Sequence, residues 1–214
     1  MSKTASKLEI LTYPNPVLRE VSKPVTEFKP ELKKFAEDML ETMYEAKGIG
    51  LAAVQVGNPI QLLVIDTRSK DEVGQRYKYD EMTELEQSIE QPLILINPEI
   101  VKGYGKTTFD EGCLSVPSFF DTVERFEKID VKAKDIHGKE FKFTVDGLLA
   151  ICVQHEMDHL SGTLFIDHLS FLKSNKIKNQ IKKNGYPDPK KSDDDDEDNS
   201  ARSRKSKSKD PVKA

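Results

Sequence analysis

One pentapeptide limits the folds open to this chain: His155-Glu156-Met157-Asp158-His159. Residues four apart share a face of an α-helix, so the two imidazoles converge only if this stretch is helical. Its flanks agree. Asp146 suits an N-cap, Gly147 to Leu160 reads as helix, and Gly162 stands where a left-handed residue would end it. Leu148, Ile151, Cys152, His155 and His159 are spaced 3, 1, 3 and 4 apart, one broad face. The fold must therefore bury a helix late in the chain and bring further chemistry to it from elsewhere.

Neutral imidazole is a good ligand for a first-row divalent ion, and the ion lowers the pKa of a bound water. Glu156 flanks such a site, where a carboxylate can take the water's proton and later return it. A hydrolytic site needs a third protein ligand and an open position. The extended pattern HExxHxxGxxH is matched at Gly162, but its last position is Phe165, which cannot ligate. After Glu156 the one remaining glutamate is Glu197, inside an acidic run. The third ligand is thus expected upstream, and Cys113 in Glu111-Gly112-Cys113-Leu114-Ser115 is the obvious thiolate. The bland alternative for the pair is a helix with two incidental histidines, which the motif outweighs; Cys113 read alone would be an inert buried thiol. The missing ligand reverses that judgement. Cys152 reads as a small apolar packing residue that lines a pocket. His137 and His168 read as solvated or locally bonded.

The rest of the chain supplies the frame. Glu31 to Lys47 has apolar residues at helical spacing and Gly48 to stop it. Gln61 to Asp66 and Leu93 to Val101 are strand-like, as are Thr122 to Lys134 and Glu140 to Val145, with His137-Gly138 as a hairpin turn. Thr67 to Gln91 is a polar excursion with a helical piece around 81–89. Phe171 to Lys183 is a last helix, anchored by Leu172, Ile177 and Ile181. Strands first, the main helix late and hairpin connections predict an α+β fold of antiparallel sheets. The two cysteines make no disulfide framework and fit a reducing cytoplasm. The longest apolar run, Leu148 to Val153, is too short to cross a bilayer, and no membrane role is expected.

A third segment, Gly48-Ile49-Gly50-Leu51-Ala52-Ala53-Val54-Gln55, packs small residues that let another chain approach the backbone. Gln55 could donate to a developing oxyanion, although composition alone favours a tight loop with a surface glutamine. Together, GIGLAAVQ (48–55), EGCLS (111–115) and QHEMDH (154–159) resemble the peptide deformylases in order and form, over roughly residues 7–183. The resemblance implies an α+β fold around the metal helix. It implies removal of the formyl group from the N-formylmethionine of nascent peptides. It implies Fe²⁺, replaceable by zinc, nickel or cobalt, held by Cys113, His155 and His159. Glu156 would be general base and acid, with the Gln55 amide and the Leu114 backbone N–H at the oxyanion. Ile49, Gly50 and Gly112 would offer backbone bonds to the peptide, and Leu148, Ile151 and Cys152 would help line the methionine pocket.

Two alternatives stay open at this level: another hydrolase with the same metal core, or a silent member that only binds. Ser118-Phe119-Phe120-Asp121 should make an apolar rim near the substrate. The expected organisation is a catalytic unit over 1–185, acting as a monomer, and a charged, disordered tail over 186–214. Charge is uneven. The net is −4, but residues 171–185 carry five lysines and no acid, and 186–214 balance, leaving −9 for residues 1–170. The resemblance implies that the basic segment 171–185 makes transient contact with the ribosome.

Overall fold

A computed structural model describes residues 7–70, 76–77 and 82–186. Helix α1 spans Pro30–Glu45, close to the expected 31–47. Its proline sits in the first turn, where an absent N–H costs nothing. Strand β1 (Gly50–Ala52) runs into a 3-10 turn (Ala53–Val56), then β2 (Leu62–Ile65). Strands β3 (Ser69–Lys70) and β4 (Arg76–Tyr77) form a small ladder within the excursion. Helix α2 (Glu84–Ser88) follows, inside the helical piece anticipated at 81–89. Then come β5 (Leu93–Tyr104), β6 (Thr107–Cys113), β7 (Val116–Arg125), β8 (Lys128–Lys134) and β9 (Glu140–Asp146). Helix α3 (Gly147–Leu160) carries the histidines, and α4 (Phe171–Asn184) closes the described chain.

Five strands pair in the order β1-β2-β5-β8-β9, all antiparallel, and β6-β7 is a separate hairpin. This is the α+β arrangement of antiparallel sheets expected from the sequence. Strand β2 shows why its sequence, Leu-Leu-Val-Ile, has no alternation. Leu63 and Ile65 face α3 with Leu95, Ile129, Leu149 and Val153, whereas Leu62 and Val64 face α1 with Ala36, Met39 and Met43. Both faces are covered, so both must be apolar. Strand β8 lies farther out and alternates strictly, burying Ile129, Val131 and Ala133. A third cluster joins Val116 and Val123 of the hairpin to Leu164, Phe165, Ile166, Ile177 and Ile181.

Several expectations change. The strand anticipated over 122–134 is the end of β7 and all of β8, broken at Phe126-Glu127 where the chain leaves one sheet for the other. Strand β6 was not foreseen; its exposed outer residues lack an apolar period. Leu172 does not anchor α4: it is 80% exposed, and Ile177 and Ile181 do the anchoring. The His137-Gly138 turn stands, with Gly138 at φ 84 and the Asp135 carboxylate accepting from the His137 and Lys139 amides. The tail expected over 186–214 lies, apart from Tyr186, outside the described residues.

Candidate metal centre and active site

Three elements converge. Helix α3 brings His155, Glu156 and His159, all buried. The β6-β7 hairpin brings Cys113 at its tip, and β1 with its following turn brings Gly50 and Gln55. One ligand atom each from Cys113, His155 and His159 lies within 4.8 Å of the other two. Cys113 Sγ is 3.3 Å from His159 Nε2. Two nitrogens and a soft sulfur around one point are a donor set for a first-row divalent ion.

The surroundings fit a cation. His155 Nδ1 meets Glu111 Oε2 at 2.8 Å, which turns Nε2 toward the site. Arg125 grips both Glu111 oxygens, Nε to Oε1 at 2.6 Å and Nη2 to Oε2 at 2.8 Å. Its Nη1 donates to Asp158 Oδ2, which His168 Nε2 also contacts, both at 2.6 Å. Burial resists ionisation of Glu111, yet the hydrogen bonds from Arg125 and His155 hold its carboxyl down at about 2. Burial opposes charge on His155, but Cys113 and Glu111 outweigh it and raise its pKa, so the site favours positive charge there. Burial lowers His159, reinforced by the charge on His155. Burial, with Glu111 and Asp158 nearby, pushes Glu156 up to about 7 against the pull of His155. Glu156 Oε2 is buried and has no hydrogen-bond partner among the described residues.

Gln55 is 1% exposed, so the surface-glutamine reading is set aside. Its Oε1 accepts from Ala52 N at 2.8 Å, and its Nε2 donates to Ser115 Oγ at 3.1 Å and approaches Cys113 Sγ at 3.7 Å. The amide is thereby fixed with its N–H₂ toward the cysteine. Glycine at 50 makes room for the carboxylate: a Cβ there would fall 2.3 Å from Glu156 Oε1 and 2.8 Å from Cys152 Sγ, so a side chain would displace the Glu156 carboxylate.

A cleft of about 450 Å³ opens above these groups. Ile49, Gly50, Gln55, Gly112, Cys113, Leu114, Leu148, Ile151, Cys152, His155 and Glu156 all line it; His159 stands behind. The Ile49 carbonyl accepts from the Asp66 amide at 2.8 Å. Burial pushes the Cys152 thiol up, as expected of a packing residue. The rim needs one correction. Phe120 is 71% exposed and lines the cleft, but Phe119 turns away to pack edge-on against Tyr186 at 6.3 Å. Phe109 takes its place at the mouth.

Sequence reasoning missed Glu111, Arg125 and Asp158 as a supporting chain. No local signal marks them: β6 has no apolar period and its ladder is irregular between Gly112 and Cys113, and Glu111 and Cys113 meet only at His155. Phe165, at the non-ligating position, stacks on His155 with ring centroids 6.4 Å apart. His168 is locally bonded, as read, and so is the backbone of His137.

The model of the family described as polypeptide deformylase matches residues 7–175. A peptide deformylase of Alkalilimnicola ehrlichii is 46% identical over 176 residues, which is 82% of this chain and 89% of that protein. The crystal structure of a peptide deformylase from Legionella pneumophila aligns with TM-score 0.70 at 43% identity, covering 83% of this chain and 95% of the other. That from Ehrlichia chaffeensis aligns at 0.72 and 38%, covering 86% and 99%. Matches of this extent, over the residues that build the cleft, place the chain in the polypeptide deformylase family, metal-dependent hydrolases that remove the formyl group from N-terminal formylmethionine.

Proposed function

We propose that Glu156 moves the proton in the reaction by which this chain removes the formyl group from new polypeptides, with Cys113, His155 and His159 holding the metal. The single observation that carries the assignment is the buried Glu156 Oε2, without a hydrogen-bond partner among the described residues, beside three converging ligand atoms. When bound, the metal lowers the pKa of a water and polarises the formyl carbonyl. Glu156 Oε2 accepts the proton of the attacking water. Gln55 Nε2 and the Leu114 N–H donate to the carbonyl oxygen as the carbon becomes tetrahedral. The C–N bond then breaks, and Glu156 returns its proton to the departing amine. Formate and a free methionine amine result. Ile49, Gly50 and Gly112 hold the peptide backbone, and Leu148, Ile151 and Cys152 receive the methionine side chain.

Ferrous iron is the ion we assign, with zinc, nickel or cobalt as substitutes. A thiolate with a ferrous ion is open to oxidation, so the test is anaerobic. Formate release from formyl-Met peptides, with metal analysis of the same preparation, should far exceed hydrolysis of unformylated Met peptides. Peptide-bond cleavage without formate release would point to another hydrolase, and no turnover at full metal content to a silent binder.

Two variants probe the roles. Gln55→Ala is expected to lower kcat by about 10²–10³, the usual cost of one oxyanion donor, with metal content intact; single-turnover formate release measures it. Cys113→Ser exchanges a soft donor for a hard one. It is expected to weaken metal retention against a chelator and to abolish the sulfur-to-metal charge-transfer absorption of the cobalt form.

The catalytic unit is residues 1–185, working as a monomer, since one chain supplies every residue of the site. Cys113 and Cys152 are both unpaired, which suits the cytoplasm. Helix α4 touches the ribosome through fewer lysines than its sequence suggests. Lys173 pairs with Asp121 at 2.6 Å and Lys178 with Asp167 at 3.0 Å. Lys176, Lys182 and Lys183 have no ion-pair partner among the described residues and remain to meet RNA phosphate. Co-sedimentation with ribosomes should weaken steeply with salt through counterion release. Replacing these three lysines by glutamate should abolish it without altering peptide turnover.

A further inference from the structure

The excursion over 67–91 ends by inserting a buried carboxylate against the start of the metal helix. Glu86 of α2 is 3% exposed. Its Oε2 accepts from Thr83 N at 2.9 Å, closing the capping box of its own short helix. Its Oε1 reaches 63 residues along the chain and accepts from Leu149 N at 2.8 Å. Leu149 is the third residue of α3, whose amide normally takes its bond from the N-cap side chain. That N-cap, Asp146, makes no such bond. Its carboxylate instead accepts from the Thr83 hydroxyl. The two helix starts are thus interlocked: Asp146 serves α2's cap residue, and Glu86 serves α3.

Gly147 permits the arrangement. It sits at φ +61, and a Cβ on it would fall 2.4 Å from Glu86 Oε2. An anion at a helix N-terminus also meets the positive end of the helix dipole. The segment is anchored on both sides of Glu86. Met82 is buried, Ile89 packs on the sheet–α3 core, and Gln91 Oε1 accepts from Thr67 N at 2.8 Å to close the base of the excursion. The residue between Gly147 and Leu149 is Leu148, which lines the cleft.

We infer that Glu86 is a positioning residue that fixes the first turn of α3 and thereby the wall of the methionine pocket. The inference rests on the reading of Leu148 as part of that pocket. It gives the polar excursion a task in substrate selection: the first turn would otherwise fray, because three of its amides lack helical partners. A looser wall costs binding of the methionine side chain, not the chemistry at Glu156 two turns on.

The test is steady-state formate release by the metal-loaded full chain on peptides beginning formyl-Met or formyl-Ala. Glu86→Ala is expected to raise KM for formyl-Met about fivefold, the scale of one lost helix cap, with kcat nearly unchanged. The preference for formyl-Met over formyl-Ala should fall by the same factor. Glu86→Gln keeps an acceptor for Leu149 and should restore most of that preference. A merely structural role would instead lower the yield of active enzyme at unchanged KM, and that result overturns the inference. So does a Glu86→Gln as impaired as Glu86→Ala. Leu148→Ala separates the two readings. If it lowers the preference and Glu86→Ala does not, the brace is refuted; if it leaves the preference unchanged, the pocket assignment itself fails. Should Glu86→Ala not fold, Glu86→Asp decides, since an arm one methylene shorter cannot reach Leu149: wild-type preference in that variant overturns the inference.

Discussion

Glu156→Ala is expected to bind metal as the wild type does and to lose formate release by about 10²–10⁴, the range that general acid–base catalysis contributes. The retention half follows from geometry. The three side chains whose ligand atoms could hold an ion are Cys113, His155 and His159, and Glu156 is not among them. The loss half follows from the proton's route. Hydrolysis needs a group to take a proton from water and deliver one to nitrogen, and Glu156 Oε2 is a buried oxygen of a cleft-lining residue with no hydrogen-bond partner among the described residues. Gly50 lets that carboxylate come close to β1, so Glu156→Asp, drawn back by one methylene, should also be slow. Glu156→Gln keeps the shape and removes the basicity; its rate should match that of the alanine variant. Metal analysis alongside formate assay checks both halves, and comparable turnover at equal metal content would remove Glu156 from the mechanism.

The site was legible in the sequence wherever a residue's chemistry was out of place. Two histidines four apart beside a glutamate have few other uses, and Cys113 is brought within reach of both. The frame was legible wherever one face met water. Strand β8 alternates and was found, whereas β6 is exposed along much of its length and offers no apolar period. Leu172 failed for the opposite reason. An apolar residue at helical spacing looks like an anchor, but α4 lies on the surface and only its Ile177–Ile181 stripe is covered. Gln55 shows where local reading runs out, since its burial depends on Ser115, sixty residues away. Glu86 is the extreme case. Its capping box is local and readable, but its bond to Leu149 exists only because the excursion folds back on α3. Long-range pairing of polar groups leaves no periodic trace in a sequence.

Arg125→Ala should destabilise the fold by about 3–5 kcal/mol, the cost of stripping a buried charge of its partner, and also weaken the metal site. Arg125 and Glu111 side chains are 5% and 3% exposed. Without the guanidinium, Glu111 keeps only its contact with His155, and burial then drives its carboxyl upward. The sign of the pH effect follows. In the wild type the Glu111 carboxyl is lowered to about 2, so its contribution to stability is complete above the ordinary carboxylate range and is lost as pH falls toward 2. In the variant that contribution should shrink, and it reverses once burial carries the carboxyl above its unfolded value, so that acid then relieves the fold rather than weakening it. A protonated Glu111 no longer fixes His155 Nδ1–H by charge, and loss of such a support typically costs about 10–100-fold in metal affinity. Stability and affinity can be separated by the double variant Arg125→Met with Glu111→Leu. Apolar replacement of a buried pair is close to neutral or stabilising, and Asp158, which also loses Arg125, keeps its contact with His168, so most of the denaturant stability should recover. Metal affinity should not, because His155 still lacks the acceptor that orients its ring. If affinity recovers together with stability, the Arg125–Glu111 pair acts on folding alone and His155 needs no help in finding its ligand geometry.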